Sequence, residues 1–222
     1  MKDYSWIYFT KYSNFIMLFT IQSILQTGGN MTKIAIIIGS TREGRMTDKL
    51  ATWAAKEVAN KAEVEVLDLR DYPMPFFDET ISPRYNPERQ ADPAIQKWLD
   101  KVAEFDGFMV VTPEYNRTTS AVLKNAIDVL DYQMDNKPVA LVAHGSSGGA
   151  QAVASLRMAL PGVGAVTVPQ ALFFTDRIGE AIDDDGILTA ELADNPYGHQ
   201  ANLATLTDTL VAYAEALSSL SK

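Results

Sequence analysis

The chain has 222 residues, 47% hydrophobic and 21% charged, a balance that suits one sizeable globular domain and excludes a disordered chain, a collagen and a coiled coil. With 19 Lys and Arg against 28 Asp and Glu the formal charge is −9, so the surface as a whole repels nucleic acid and anionic lipid, and an anionic ligand needs a local cluster of positive groups. No cysteine is present, which rules out disulfides, thiolate metal sites and cysteine nucleophiles and fits a reducing, cytoplasmic setting.

Residues 1–30 differ from the rest: four tyrosines and tryptophans, three charged side chains, and an apolar stretch at 15–25 broken by Thr20, Gln22 and Ser23. That stretch is too short and too polar to span a membrane. Lys2 and Lys11 precede it, as in a signal peptide, but no A-x-A-like cleavage site follows. Met31 stands directly before Thr32-Lys33 and a clean strand pattern. The expectation is an N-terminal extension over 1–30 and one compact domain over 31–222.

From Met31 onward strands and helices alternate. A β-branched run at 34–38, ending at Gly39, predicts a parallel strand buried on both faces. Helical spacing follows over 47–60, alternation at 64–69 predicts a second strand, and 94–104 reads as a helix with Ile95, Trp98, Leu99 and Val102 on one face. Residues 108–112 read as the third strand, 120–132 as the third helix, 139–143 as the fourth strand and 150–160 as the fourth helix. The fifth strand is expected over 163–168, extended through 171–174, and a helix over 200–218 closes the chain.

This alternation predicts an α/β, three-layer, doubly wound parallel five-stranded sheet with strand order 2-1-3-4-5. In such a sheet ligands bind beyond the carboxyl ends of the strands, at the switch point, which directs attention to the loops after Ile38, Thr112 and Ala143.

The first loop reads Gly39-Ser40-Thr41-Arg42-Glu43-Gly44-Arg45-Met46-Thr47. It opens like a Walker A motif, but Arg45 stands where lysine belongs and Met46 where the hydroxyl belongs; Thr41 occupies the second glycine of a dinucleotide fingerprint. What remains is a glycine-started turn with two arginines and three hydroxyls at a helix N-terminus. Amides and helix dipole there favour an anion, and arginine can hold a phosphate bidentately; the plainer alternative is an N-cap region with solvent-facing arginines. The second loop, Pro113-Glu114-Tyr115-Asn116, offers a rigid turn whose amides suit the edge of a planar heterocycle, with Tyr115 able to stack, or else is simply a polar turn. The third, His144-Gly145-Ser146-Ser147-Gly148-Gly149, supports two readings. One is a glycine turn that lets amides approach a cofactor. The other is a G-x-S-x-G elbow with Ser147 as nucleophile, followed downstream by acids and His199 in the order of a serine hydrolase, though no H-G-G-G segment precedes it.

Taken together, Gly39 to Arg45, Pro113 to Asn116 followed by Leu123-Lys124-Asn125-Ala126-Ile127-Asp128, and Gly145 to Gly149 resemble the NAD(P)H-dependent FMN reductase family of flavodoxin-like flavoproteins. Asp68-Leu69-Arg70-Asp71-Tyr72-Pro73 adds to the likeness, which covers about residues 31–220. The resemblance implies an FMN phosphate against Ser40, Arg42, Arg45, Met46 and Thr47, and an isoalloxazine ring along Pro113, Glu114, Tyr115 and Asn116. It implies a pyrimidine edge at Gly145, Ser146, Ser147 and Gly148. Relatives often carry serine at position 45, asparagine at 47, and a proline near Ser120. The resemblance also implies NAD(P)H as co-substrate, a small-molecule acceptor such as a flavin or quinone, and a homodimer or homotetramer. No membrane or nucleic-acid partner and no catalytic side chain or metal are expected, because the cofactor carries the hydride chemistry. A flavodoxin-like electron carrier is the non-enzyme alternative.

Overall fold

The computed structural model describes residues 31–220, so the expectation for residues 1–30 lies outside the described residues. Five strands, β1 (Lys33–Ile38), β2 (Glu63–Asp68), β3 (Gly107–Pro113), β4 (Pro138–His144) and β5 (Val166–Phe174), form one sheet in the order β2-β1-β3-β4-β5. Every neighbouring pair is parallel. The expected architecture and strand order are therefore present.

The sheet is buried on both faces because its central strands are apolar throughout 34–38, 108–111 and 139–143. In β1, Ile34, Ile36 and Ile38 point to one face while Ala35 and Ile37 point to the other. The first face is covered by α1 (Thr47–Ala59) and the last helix, α5 (His199–Leu217). The second is covered by α2 (Pro93–Ala103), α3 (Ala121–Asp128) and α4 (Ala150–Ala159). The tryptophans anchor the two layers: Trp98 donates from Nε1 to the Ala126 carbonyl at 2.9 Å, and Trp53 donates to Gln200 Oε1 at 2.8 Å with its ring edge-on to Phe174. Burying such a side chain contributes on the order of 2–3 kcal/mol, provided its N–H finds a partner.

Two elements depart from the sequence expectation. The helix expected to reach residue 132 ends at Asp128. Beyond it the chain is pulled into a turn by the β2–α2 connection: Arg84 donates to the Asp131 carbonyl and pairs with Asp135 at 2.8 Å, and Arg89 bridges Glu79 and Asp131 at 2.6 and 3.2 Å. The fifth strand starts at Val166, not at residue 163. Leu160–Val163 instead form a 3₁₀ turn closed by Gly164 at φ +78°, a conformation glycine adopts without penalty. Pro169 sits where the β4–β5 register shifts, where no ladder amide is required.

Candidate functional site

The carboxyl ends of β1, β3 and β4 place the three singled-out loops side by side. Strand β1 runs into Gly39, whose amide donates to the Val111 carbonyl at 2.8 Å; a Cβ there would lie 2.9 Å from both that oxygen and Leu123, so loop one leaves the sheet tightly against α3. Ser120, standing near where relatives often carry proline, uses its hydroxyl twice: it donates to the Gly39 carbonyl at 2.5 Å and accepts from the Leu123 amide at 3.2 Å as N-cap of α3. Proline could make neither bond.

Loop one is shaped by guanidinium groups. Arg45 pairs both nitrogens with the Asp68 carboxylate at the end of β2, donates to the Ser40 carbonyl at 2.6 Å, and lies 3.5 Å from Asp48. Its side chain is only 5% exposed. The hydrogen bond to Asp68 raises the Arg45 pKa. Burial pushes the Asp68 carboxyl up, but the bonds from Arg45 and the Arg70 amide outweigh that and leave it below its ordinary value. Arg70 donates to the Arg42 carbonyl at 2.6 Å and to that of Thr41 at 3.3 Å. Three successive carbonyls, of Ser40, Thr41 and Arg42, are thus drawn toward cations. The α1 N-terminus carries no side-chain cap at Met46; the Lys49 amide is taken by Asp48 Oδ1 at 3.0 Å, which leaves the amides of Thr47 and Asp48 without a hydrogen-bond partner among the described residues. Among the described residues the exposed Arg42 guanidinium has no side-chain partner, unlike that of Arg45. The two arginines of the loop therefore differ in kind: Arg45 is a brace and Arg42 is available to a ligand.

Loop two is a tight two-residue turn. The Tyr115 amide donates to Thr118 O at 2.8 Å, the Thr118 amide returns the bond at 3.1 Å, and Asn116 and Arg117 take φ values of +51° and +69° between them. Asparagine tolerates that region; arginine there is strained, by roughly 1–3 kcal/mol. Tyr115 OH lies 2.9 Å from the buried Ser40 Oγ, joining loop two to loop one. Glu114 turns its carboxylate to the Gln151 amide, 3.0 Å away, in the uncapped first turn of α4. Pro113 is buried in register with His144.

Loop three folds on itself through the Gly148 amide and the Gly145 carbonyl, 3.0 Å apart, with Gly148 and Gly149 at φ +70° and +84°. A Cβ at Gly149 would lie 2.6 Å from Ala143 Cβ. Among the described residues no hydrogen bond connects Ser147 to either histidine. His199 pairs instead with Asp176 at 2.7 Å and stacks on Phe174, and His144 Nε2 lies 3.1 Å from Thr47 Oγ1. Burial lowers the His144 pKa to about 4, so the ring is neutral at pH 7.

A cleft of about 260 Å³ is lined by Arg42, Gly44, Arg45, Met46, Thr47, Tyr115, His144, Gly145, Phe174, Asp176 and Ile178. A second, of about 480 Å³, begins at Tyr115 and Asn116 and runs along Ser120, Lys124, Ser155 and Leu156. Of the residues singled out from sequence, Arg42, Arg45, Met46, Thr47, Tyr115 and Gly145 line the first cleft, and Tyr115 and Asn116 the second. Ser40 lies buried beneath them, while Pro113, Glu114, Ser146, Ser147 and Gly148 line neither. The sequence assigns no individual role to Asp68, Arg70 or His144, and Asp176 enters only among the downstream acids of the hydrolase reading. The strand order 2-1-3 was the available signal for the first two, since it sets the end of β2 beside loop one.

A model of the NADPH-dependent FMN reductase family matches residues 32–179 of this chain. An NAD(P)H-dependent FMN reductase of Schizosaccharomyces pombe is 30% identical over 184 residues, spanning 74% of this chain and 92% of that protein. A quinone reductase of Escherichia coli K12 is 28% identical over 191 residues, spanning 82% and 94%. Among solved structures, a flavoenzyme NAD(P)H:(acceptor) oxidoreductase of Paracoccus denitrificans superposes with a TM-score of 0.67 at 25% identity, over 83% of this chain and 98% of that one. With the family model covering well over half of its length, the chain belongs to the NADPH-dependent FMN reductase family.

Proposed function

We propose that this chain is an NAD(P)H-dependent, FMN-containing oxidoreductase that reduces a small acceptor such as a flavin or a quinone. The observation that carries the site is loop one. Arg45 and Arg70 hold its carbonyls while the amides of Thr47 and Asp48 at the start of α1 and the Arg42 guanidinium remain for an anion. A Cβ at Gly44, with φ +66°, would meet nothing within 4 Å, so the loop is open on its ligand side. A phosphomonoester fits this donor set. The flanking clefts that meet at Tyr115 leave room for a planar ring against loops two and three.

Bound FMN would supply the hydride and electron-transfer chemistry between nicotinamide and acceptor. The chain's own residues bind and orient it. Arg42 and the first α1 amides would hold the phosphate; Asp68, Arg45 and Arg70 keep the loop aimed; Tyr115 and Asn116 of loop two and Gly145 of loop three would border the ring. The neutral His144 leaves the cleft without a second buried cation. We assign this role to the domain of residues 31–222, apart from the 1–30 extension, and place the protein in the cytoplasm as a homodimer or homotetramer. The broad apolar side chains Phe76 and Tyr85, 76% and 81% exposed on the β2–α2 connection, suit a subunit contact. No helix among the described residues is long and apolar enough to cross a membrane.

The test is the visible spectrum of the purified protein after removal of free flavin, followed by FMN titration and NAD(P)H oxidation with no partner protein added. A yellow protein that turns over NAD(P)H alone is expected. A colourless protein that cannot be reconstituted with FMN overturns the reading, and flavin binding without turnover would favour the electron carrier.

A further inference from the structure

Thr47 is fully buried at the first turn of α1, and its hydroxyl has one partner among the described residues, His144 Nε2 at 3.1 Å. A hydroxyl carries one hydrogen and two lone pairs, and a buried O–H whose hydrogen finds no acceptor is costly. With a single partner available, that hydrogen is accepted only if Nε2 is the acceptor. The bond therefore runs from Thr47 Oγ1–H to Nε2, and the ring proton of neutral His144 sits on Nδ1. Protonating Nε2 would turn that bond around and strand the threonine hydrogen, consistent with a ring held neutral well below its ordinary range. Nδ1 has no partner among the described residues, and His144 lines the 260 Å³ cleft together with Arg42, Gly44 and Met46.

We propose that His144, locked by Thr47 in its Nδ1–H form, is a fixed neutral donor to an oxygen of the ribityl phosphate tail of bound flavin. The inference rests on the flavin reading above, and it adds a ligand-selecting residue contributed by β4 to a site otherwise built from loop one. A neutral donor contributes direction without charge. Beside Arg42 it completes the coordination of a phosphate or ribityl oxygen without adding a second cation to the tail's surroundings. The remaining charged groups around the cleft are already committed: Asp176 to His199, Arg45 to Asp68.

Two measurements test it. In the ligand-free protein, the imidazole ¹⁵N shifts of His144 should report one tautomer with the proton on Nδ1, and Thr47→Val should release the ring into tautomer exchange; a proton found on Nε2 in the wild type overturns the assignment. Binding is then measured for FMN, riboflavin and lumiflavin. His144→Phe should weaken FMN by about tenfold, the worth of one hydrogen bond to a charged or strongly polar oxygen. Riboflavin should be unaffected if the acceptor is the phosphate, or weakened equally if it is a ribityl hydroxyl; lumiflavin should be unaffected in both cases. His144→Gln, whose carboxamide can accept from Thr47 and donate onward, should restore FMN affinity to within about threefold, which a purely structural role of the ring would not produce. If the wild type binds FMN and His144→Phe binds all three flavins equally well, the proposal falls alone. If the wild type binds none of them, it falls together with the flavin reading.

Discussion

Loop one and the turn at 145–149 both cap buried strands and both reach the same cleft, the turn through Gly145, yet they are held by opposite means. Loop one is held by side chains: Arg45 and Arg70 reach its carbonyls, Asp68 holds Arg45, and Tyr115 bonds Ser40. The turn at 145–149 is held by backbone geometry, with two consecutive glycines in the left-handed region and one internal bond from Gly148 to Gly145. The difference follows from what each must present. In loop one the carbonyls of Ser40, Thr41 and Arg42 are drawn toward Arg45 and Arg70, which leaves the positive ends of the peptide dipoles for an anion. A close approach of backbone to a flat ligand needs only that no Cβ intervene.

The comparison breaks hardest at Gly149. Alanine there adds a Cβ 2.6 Å from Ala143 Cβ and 2.8 Å from the His144 amide, at a φ of +84°. Overpacking and left-handed strain together should cost about 3–4 kcal/mol, read as a lowered midpoint in urea unfolding. Gly44→Ala is the control in loop one, because its Cβ meets nothing. It should cost only the strain of φ +66°, about 1 kcal/mol.

Acid separates the two regions next. Between pH 6.5 and 4 the unfolded chain takes up a proton on His144 that the folded chain refuses, so stability falls as pH is lowered. The loss from this group is absent above pH 6.5 and complete near pH 4, where it amounts to about 3 kcal/mol. His144→Gln should flatten that stretch of the stability curve. Asp68 acts later: its folded pKa lies below the ordinary carboxylate value, so its contribution, present above that value, is lost as pH falls through the folded pKa. Urea midpoints across pH, with and without His144→Gln, read both.

Within loop one the two arginines should fail differently. Arg42→Glu should weaken FMN binding by about one to two orders of magnitude, since a charge-assisted bond contributes roughly 1.5–3 kcal/mol, and it should leave riboflavin binding and stability nearly unchanged. Arg45→Met leaves the Asp68 carboxylate, 23% exposed, without its guanidinium and the Ser40 carbonyl without a donor. Stability should drop by about 1–2 kcal/mol, and affinity should fall for FMN more than for riboflavin because the loop loses its aim. Equal effects of the two substitutions on stability would contradict the division between brace and ligand group.

That division could not be read from the chain. Arg42 and Arg45 stand three residues apart with the same chemistry, and what distinguishes them is Asp68, brought beside Arg45 by the parallel pairing of β2 with β1. The sheet itself was legible because apolar runs buried on both faces leave a continuous signal, as in β1, β3 and β4. The sequence pattern extends the third helix past Asp128 because its periodicity continues there, while Arg84 and Arg89, which hold the following turn, come from a connection some forty residues earlier with no regular pattern of its own. His144 was hidden for a related reason: its partner Thr47 lies 97 residues away. Local periodicity specifies strands and helices; the sorting of like residues into braces and ligand groups depends on contacts that only the assembled sheet creates.

The smallest effect expected is at Ser147. A nucleophilic serine needs a base within hydrogen-bond reach, itself oriented by a third group. The chain does contain a histidine–carboxylate pair, His199 with Asp176, in the Ser, Asp, His order along the sequence that makes the hydrolase reading attractive. That pair is closed on itself and stacked on Phe174, with ring centroids 4.2 Å apart, and the other histidine is committed to Thr47. Ser147 is exposed on a turn whose neighbours are fixed by glycine geometry, and no hydrogen bond ties its hydroxyl to either ring among the described residues. Ser147→Ala should therefore change stability by less than about 0.5 kcal/mol, leave FMN affinity within twofold, and remove no esterase activity because none is expected. An ester substrate turned over by the wild type and not by Ser147→Ala would show that the turn at 145–149 does chemistry of its own, and the contrast between a side-chain-built and a backbone-built loop would have to be redrawn around a nucleophile.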